Sequence, residues 1–179
     1  MPNRILVLGC SGAGKSTLSR RLGRIHGLPV IHLDAHFWRP GWVEPPLDEW
    51  RAVCADLAAG DRWVLDGNYG SSLDLRLPRA ELIVFPDLNR WVCLWRAISR
   101  YVKNRGRVRE DIAPGCPERI DRQHLRYIWD YPRQHRGRML GHVARHAPDT
   151  PFIRLTSPRA VQSFLTSSAN SRSARLGSP

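Results

Sequence analysis

Residues 9 to 16, Gly9-Cys10-Ser11-Gly12-Ala13-Gly14-Lys15-Ser16, fit the pattern G-x-x-x-x-G-K-[ST] without a mismatch, and Thr17 follows. The context is the one this pattern needs. Ile5-Leu6-Val7-Leu8 upstream is a short apolar run that reads as a buried parallel strand. Downstream, Leu18, Leu22 and Ile25 recur at helical spacing, so the loop opens an amphipathic helix. The glycines let the backbone curl until several N–H groups face one concavity, and the helix N-terminus adds partial positive charge. The result is a polyanion cradle formed by Gly9, Ser11, Gly12, Ala13, Gly14, Lys15, Ser16 and Thr17. Lys15 reaches the β and γ phosphates of a nucleoside triphosphate, and the Ser16 hydroxyl is placed for Mg²⁺. The ligands this predicts are ATP and Mg²⁺.

A chain of 179 residues is long enough for one core and short for two domains. Its formal charge is +12, and Lys15 and Lys103 are the only lysines among 28 basic residues. Such a surface attracts polyanions generally, which predicts weak, non-specific nucleic-acid binding. Four scattered cysteines without a C-x-x-C pair read as reduced thiols, and no charged-then-apolar leader or run of transmembrane length is present. A cytoplasmic protein without membrane attachment is the expectation.

Along the chain, Leu28 to Leu33 reads as a second strand ending at Asp34, where ligands of open α/β sheets gather. Asp34 is the candidate to orient or deprotonate an acceptor. Phe37, Trp38 and Trp42 follow, as a wall for a flat or apolar acceptor or as sheet-capping core. His32, Asp34 and His36 would share a strand face, a metal reading that lacks a fourth ligand; His142 and His146 are a weaker hint of the same kind. Leu47 to Ala59 has helical spacing. Trp63 to Asp66 is the third strand, and its terminal Asp66 is the preferred carboxylate for the Mg²⁺ shell opposite Ser16, with Asp87 at the end of Leu82 to Pro86 as the alternative. A helix runs from about Asn89 to Asn104, and a Gly- and Pro-broken segment follows. Arg105, Arg107 and Arg109 mark this stretch, about residues 103–117, as an arginine-rich lid over transferring phosphate, mobile until an anion neutralises it. Glu118 to Trp129 is a further helix, with continuation past Pro132 left open. Phe152 to Leu155 is the fifth strand and Pro158 to Leu165 a final short helix. Residues 1–166 form the domain, and 167–179 lack apolar pattern and read as a disordered tail.

Strands alternating with helices imply an open parallel sheet with helices on both faces, an α/β fold. The chain resembles the adenylate-kinase-like P-loop proteins called topology modulation proteins, relatives of shikimate, gluconate and nucleoside monophosphate kinases. The matching stretches are Gly9 to Thr17, Leu33-Asp34 with Trp38 and Gly41-Trp42, Trp63 to Tyr69, Arg100 to Arg109, and Gly115 to Glu118. The resemblance implies a P-loop kinase three-layer fold, a five-stranded sheet in order 2-3-1-4-5, and an ATP-dependent kinase scaffold. It also implies that Thr156 to Arg159 borders the adenine. The predicted activity is phosphoryl transfer from MgATP to a small acceptor. The alternatives are an ATPase or nucleotide-gated switch, and a nucleic-acid-associated regulator using the same site.

Overall fold

The computed structural model of the chain describes residues 1–176, with side chains as far as Arg172. Strand β1 (Arg4–Val7) leads through the glycine-rich loop into helix α1 (Lys15–His26). Edge strand β2 (Val30–His32) passes directly into the short α2 (Leu33–Phe37), and α3 (Leu47–Ala59) leads to β3 (Trp63–Asp66). After α4 (Leu73–Arg76) come β4 (Leu82–Pro86) and α5 (Arg90–Asn104). Helices α6 (Arg122–Asp130) and α7 (Arg136–His146), strand β5 (Phe152–Leu155) and α8 (Pro158–Leu176) complete the order. The five strands are parallel in the order β2-β3-β1-β4-β5. This is the α/β three-layer arrangement of P-loop kinases.

The layering follows from alternation along β1. Leu6 and Leu8 point to one face, where Trp50 and Cys54 of α3, Cys93 and Ala97 of α5, Ile128 of α6 and Met139 of α7 cover them. Ile5 and Val7 point to the other, covered by Leu18 and Leu22 of α1 and Leu165 of α8. A strand buried on both faces must read as a continuous apolar run, which is why Ile5 to Leu8 carries no polar residue.

Register then sets the site. Val7 pairs with Asp66 and Asp66 with His32, so the carboxyl ends of β1, β3 and β2 lie level beside the glycine-rich loop. The last β2–β3 pair is His32↔Asp66, and with no ladder beyond it the chain coils. Asp34 therefore sits in the first turn of α2, not at a strand end as its sequence suggests.

Two other expectations change, and one open point closes. The helix expected from Glu118 begins at Arg122, and it passes Pro132, because a π turn over Tyr131–His135 absorbs the missing N–H before α7 begins. The expected tail is helical as far as Leu176, in continuation of α8. Arg172 hydrogen-bonds the backbone carbonyls of Arg24 and Ile25 at the C-terminus of α1, contacts that apolar periodicity does not register. The last three residues of that expected tail, 177–179, lie outside the described residues.

Candidate functional site

The glycine-rich loop is held from three sides. Gly12, at φ +78°, lies so close to α5 that a Cβ there would stand 2.2 Å from the Cys93 carbonyl oxygen. The Asn68 amide clamps Gly9 both ways: Gly9 N–H donates to Oδ1 at 2.9 Å, and Nδ2 donates to the Gly9 carbonyl at 2.9 Å. Ser11 Oγ is 3.0 Å from His124 Nε2 on α6, and burial, then the Arg100 charge, keeps that imidazole below its ordinary pKa. Lys15 Nζ donates to the Cys10 carbonyl at 3.3 Å, which parks the ammonium across the cradle. Arg96 of α5 brings Nη1 to 3.6 Å from where a Cβ on Gly14 would stand.

Beside the cradle, Asp66 Oδ2 meets His32 Nδ1 at 3.0 Å. Burial acts to lower the His32 pKa, but the hydrogen bond and charge of Asp66 outweigh it and raise it. Asp87, the alternative to Asp66, is occupied elsewhere: Arg154 Nη2 lies 2.5 Å and Arg136 Nη1 3.3 Å from its Oδ2. It does not line the cleft, whereas Asp66 does. Tyr69 Oη donates to Asp34 Oδ1 at 2.5 Å. Burial pushes the Asp34 carboxyl up, and the Tyr69 hydroxyl, Lys15 and Arg109 pull it back only in part. The loop presenting Asn68 and Tyr69 is braced from beneath by Arg76. Its guanidinium is fully buried and donates to the carbonyls of Gly67 at 2.9 Å, Asn68 at 2.7 Å and Tyr69 at 3.0 Å. Burial lowers its pKa to about 10.

The third wall is the segment after α5. Arg109 binds Asp111 through Nη1 at 2.9 Å and Glu118 through Nε, while Arg100 Nε reaches the other Glu118 oxygen at 3.1 Å. Asp111 lines the cleft together with Ser16, so this carboxylate faces the cradle. Burial acts to raise its pKa, but Arg109 and Ser16 outweigh that and hold it below the usual carboxylate range. The segment is packed down: Ile112, Ala113 and Cys116 are buried against Trp38 and Trp42. Gly41 N–H donates to Gly115 O at 3.0 Å, and Trp42 Nε1 to Pro117 O at 3.1 Å. The expectation that like charge keeps this segment loose without an anion did not weigh Asp111 and Glu118, which pair with Arg109 and Arg100. Arg105 and Arg107 also differ from expectation. Both are exposed and neither lines the cleft, so of the three predicted lid arginines only Arg109 faces it.

Together these walls enclose a cleft of about 1290 Å³. Ser11, Gly12, Ala13, Gly14, Lys15, Ser16 and Thr17 line it with Asp34 and Asp66, while Gly9 lies beneath as the anchored start of the loop. Pro158 and Gln162 of α8 line the same cleft on the α1 side, beside Arg20 and Arg21. His36 is exposed and does not join His32, and His142 and His146 stack on each other along α7. Sequence reasoning did not single out Arg96, Asp111, Glu118 or His124. Arg96 and Arg100, one helical turn apart on α5, were the available signal. Glu118 fell within a family-matching stretch without a role, and Asp111 gave no signal, because their partners are fixed only by the fold.

Ser16, Asp66 and Asp111 offer hard oxygen donors, which suit Mg²⁺; this ion takes one or two protein ligands and completes its shell with water and phosphate. Among the described residues no three His, Cys, Asp or Glu side chains converge as a self-sufficient metal cage, nor is any helix long and apolar enough to cross a membrane.

No family model matches the sequence, and no curated protein matches it. Solved structures do match in fold. Shikimate kinase from Acinetobacter baumannii in complex with shikimate superposes with a TM-score of 0.56 at 14% identity, over 99% of this chain and 96% of that one. A gluconokinase from Sinorhizobium meliloti 1021 gives 0.53 at 19% identity, over 98% and 93%. Shikimate kinase from Bacteroides thetaiotaomicron gives 0.51 at 16%, over 93% and 96%. At these identities the similarity establishes a shared P-loop kinase fold.

Proposed function

We propose that the chain is a kinase that transfers the γ-phosphoryl group of MgATP to a hydroxyl of a small acceptor. The observation that carries this reading is the single cleft joining the phosphate cradle to Asp34. An ATPase or switch needs the cradle alone; a carboxylate kept half-buried across from it, with a tyrosine hydroxyl on one oxygen, suits an acceptor. In this reading the loop N–H groups and Lys15 bind the phosphates, Arg96 stabilises charge that develops on the moving phosphoryl group, and Arg109 positions the segment that carries Asp111. Ser16 and Asp66 would hold Mg²⁺, with Asp111 able to join them, and the ion would supply charge neutralisation for the transferring phosphate. Asp34 accepts the acceptor hydroxyl proton or orients it for in-line attack. Pro158 and Gln162 border the adenine. Kinship with topology modulation proteins rests on the shared stretches Leu33-Asp34, Gly41-Trp42 and Trp63 to Tyr69.

The test is calorimetry with MgATP on the parent chain and on Lys15→Ala. The variant is expected to keep its thermal midpoint and lose at least about 10²-fold in affinity, since a charge-assisted contact to triphosphate disappears. Equal affinity overturns the reading.

A further inference from the structure

The two ends of the cleft carry opposite charge character, and this bears on the acceptor. Around the cradle stand Lys15, Arg20, Arg21 and Arg96. Around Asp34 the lining is aromatic and acidic. Phe37 lies 4.4 Å from the Tyr69 ring and 4.8 Å from Trp38, and Trp38 lies 5.2 Å from Trp42, all as ring centroids. Asp34 and Asp111 face this end, and Glu44 and Glu110 line the cleft from the same two chain segments.

The cations near Asp34 are already engaged, Lys15 by the Cys10 carbonyl across the cradle and Arg100 by Glu118. The Arg109 guanidinium is divided between Asp111 and Glu118. Arg76 of α4 is turned inward onto the backbone carbonyls of the Tyr69 loop and does not line the cleft. Arg119 has no carboxylate partner among the described residues, but it is exposed at the rim, its guanidinium 4.7 Å from the Trp42 ring centroid. Seating a carboxylate or phosphate in a closed site requires a fixed, available cation, preferably a bidentate arginine, to offset desolvation. Here such an acceptor group would meet Asp34, Asp111 and four aromatic rings. A ring face stacks on those rings, and a hydroxyl finds the Asp34 carboxylate and the Tyr69 oxygen.

We infer that the acceptor is a non-anionic alcohol carrying a flat or apolar ring, in contrast to a hydroxy acid or a phosphorylated compound. The inference rests on the kinase reading and narrows it. It contrasts with the fold neighbour described with shikimate bound, a carboxylic acid.

The experiment measures acceptor-dependent ADP release by the full chain with MgATP, using pairs that differ in charge. Nucleosides are compared with their 5′-monophosphates, and the methyl ester of shikimate with shikimate itself. The expected result is turnover with at least one non-anionic member, at a kcat/KM ten or more times that of its anionic counterpart, roughly 1.4 kcal/mol in transition-state binding. Equal or greater turnover with the anionic members overturns the inference and leaves the kinase reading standing. If no compound of either kind stimulates ADP release while calorimetry shows MgATP bound, the kinase reading fails and the inference falls with it.

Discussion

The cradle and the acceptor end lie in one cleft but are made from different material. The cradle is backbone: glycine conformations, N–H groups and a helix terminus, with Lys15 as its single lysine. The acceptor end is side chains from four separated stretches, namely Asp34 with the aromatics, Asn68 and Tyr69, Arg100 with Arg109 and Asp111, and Glu118. A backbone site is specified locally and admits little substitution, because a Cβ added at Gly9 or Gly12 meets backbone oxygen. A side-chain site is specified by pairing across the fold and can be retuned one partner at a time. In the kinase reading, the general reaction therefore belongs to the first region and the choice of acceptor to the second.

The sharpest way to break this comparison is at Gly12. Alanine there meets a positive φ of 78° and a Cβ position 2.2 Å from the Cys93 carbonyl oxygen, which is backbone and cannot swing aside. Left-handed strain and overpacking together predict a loss of about 2–5 kcal/mol in stability. Either the loop or α5 must move, so MgATP binding should fall below detection even where the fold survives. Thermal denaturation and calorimetry measure both. A Gly12→Ala chain that binds MgATP like the parent would mean that the cradle is not backbone-limited.

This difference also explains what could be read from sequence. The cradle, the five strands, α3 with its ends at Leu47 and Ala59, and α5 after its Asn89 cap were all visible, because each depends on spacing within a few residues. The fold class and strand order agree with the resemblance. Asp34 was recognisable as a site candidate, but its neighbours were not. Tyr69 is 35 residues away, and its backbone at φ +31° is held by Arg76, whose burial nothing in its own surroundings announces. The arginines of the 103–117 segment were countable but not sortable. Which of them faces the cleft depends on Asp111 and on Glu118 beyond it, and charge totals do not contain that information. The helix past Leu165 was missed for a related reason: Arg172 is an ordinary solvated residue until α1 supplies its carbonyls.

A smaller effect is expected at Asp34, where the two regions meet. Asparagine keeps the shape and can still accept from Tyr69, so the fold and MgATP affinity should persist. What is lost is the basic, negatively charged oxygen facing the acceptor, and acceptor-dependent kcat should fall about 10²-fold. Single-turnover measurement with saturating MgATP isolates this step. If Asp34→Asn weakens MgATP binding and transfer in equal proportion, Asp34 serves the cradle, and the division between the two ends dissolves.

The smallest effects separate the arginines after α5, and they sharpen the comparison most closely. Arg109→Ala removes the cation shared by Asp111 and Glu118, both buried, so the segment loses the pairing that holds it against Trp38 and Trp42. Hydrogen exchange across residues 103–117 should quicken, and transfer should fall by about tenfold, as expected for a lost positioning contact. Arg105→Ala and Arg107→Ala remove exposed charges that do not line the cleft. At physiological ionic strength such charges are largely screened, and kcat/KM should change by less than about twofold. Measured side by side, the three variants ask whether the segment acts through net charge or through one paired guanidinium. Equal losses from all three would mean that the positive field of the segment matters more than its geometry. A loss confined to Arg109 assigns the effect to the contact that the two carboxylates fix.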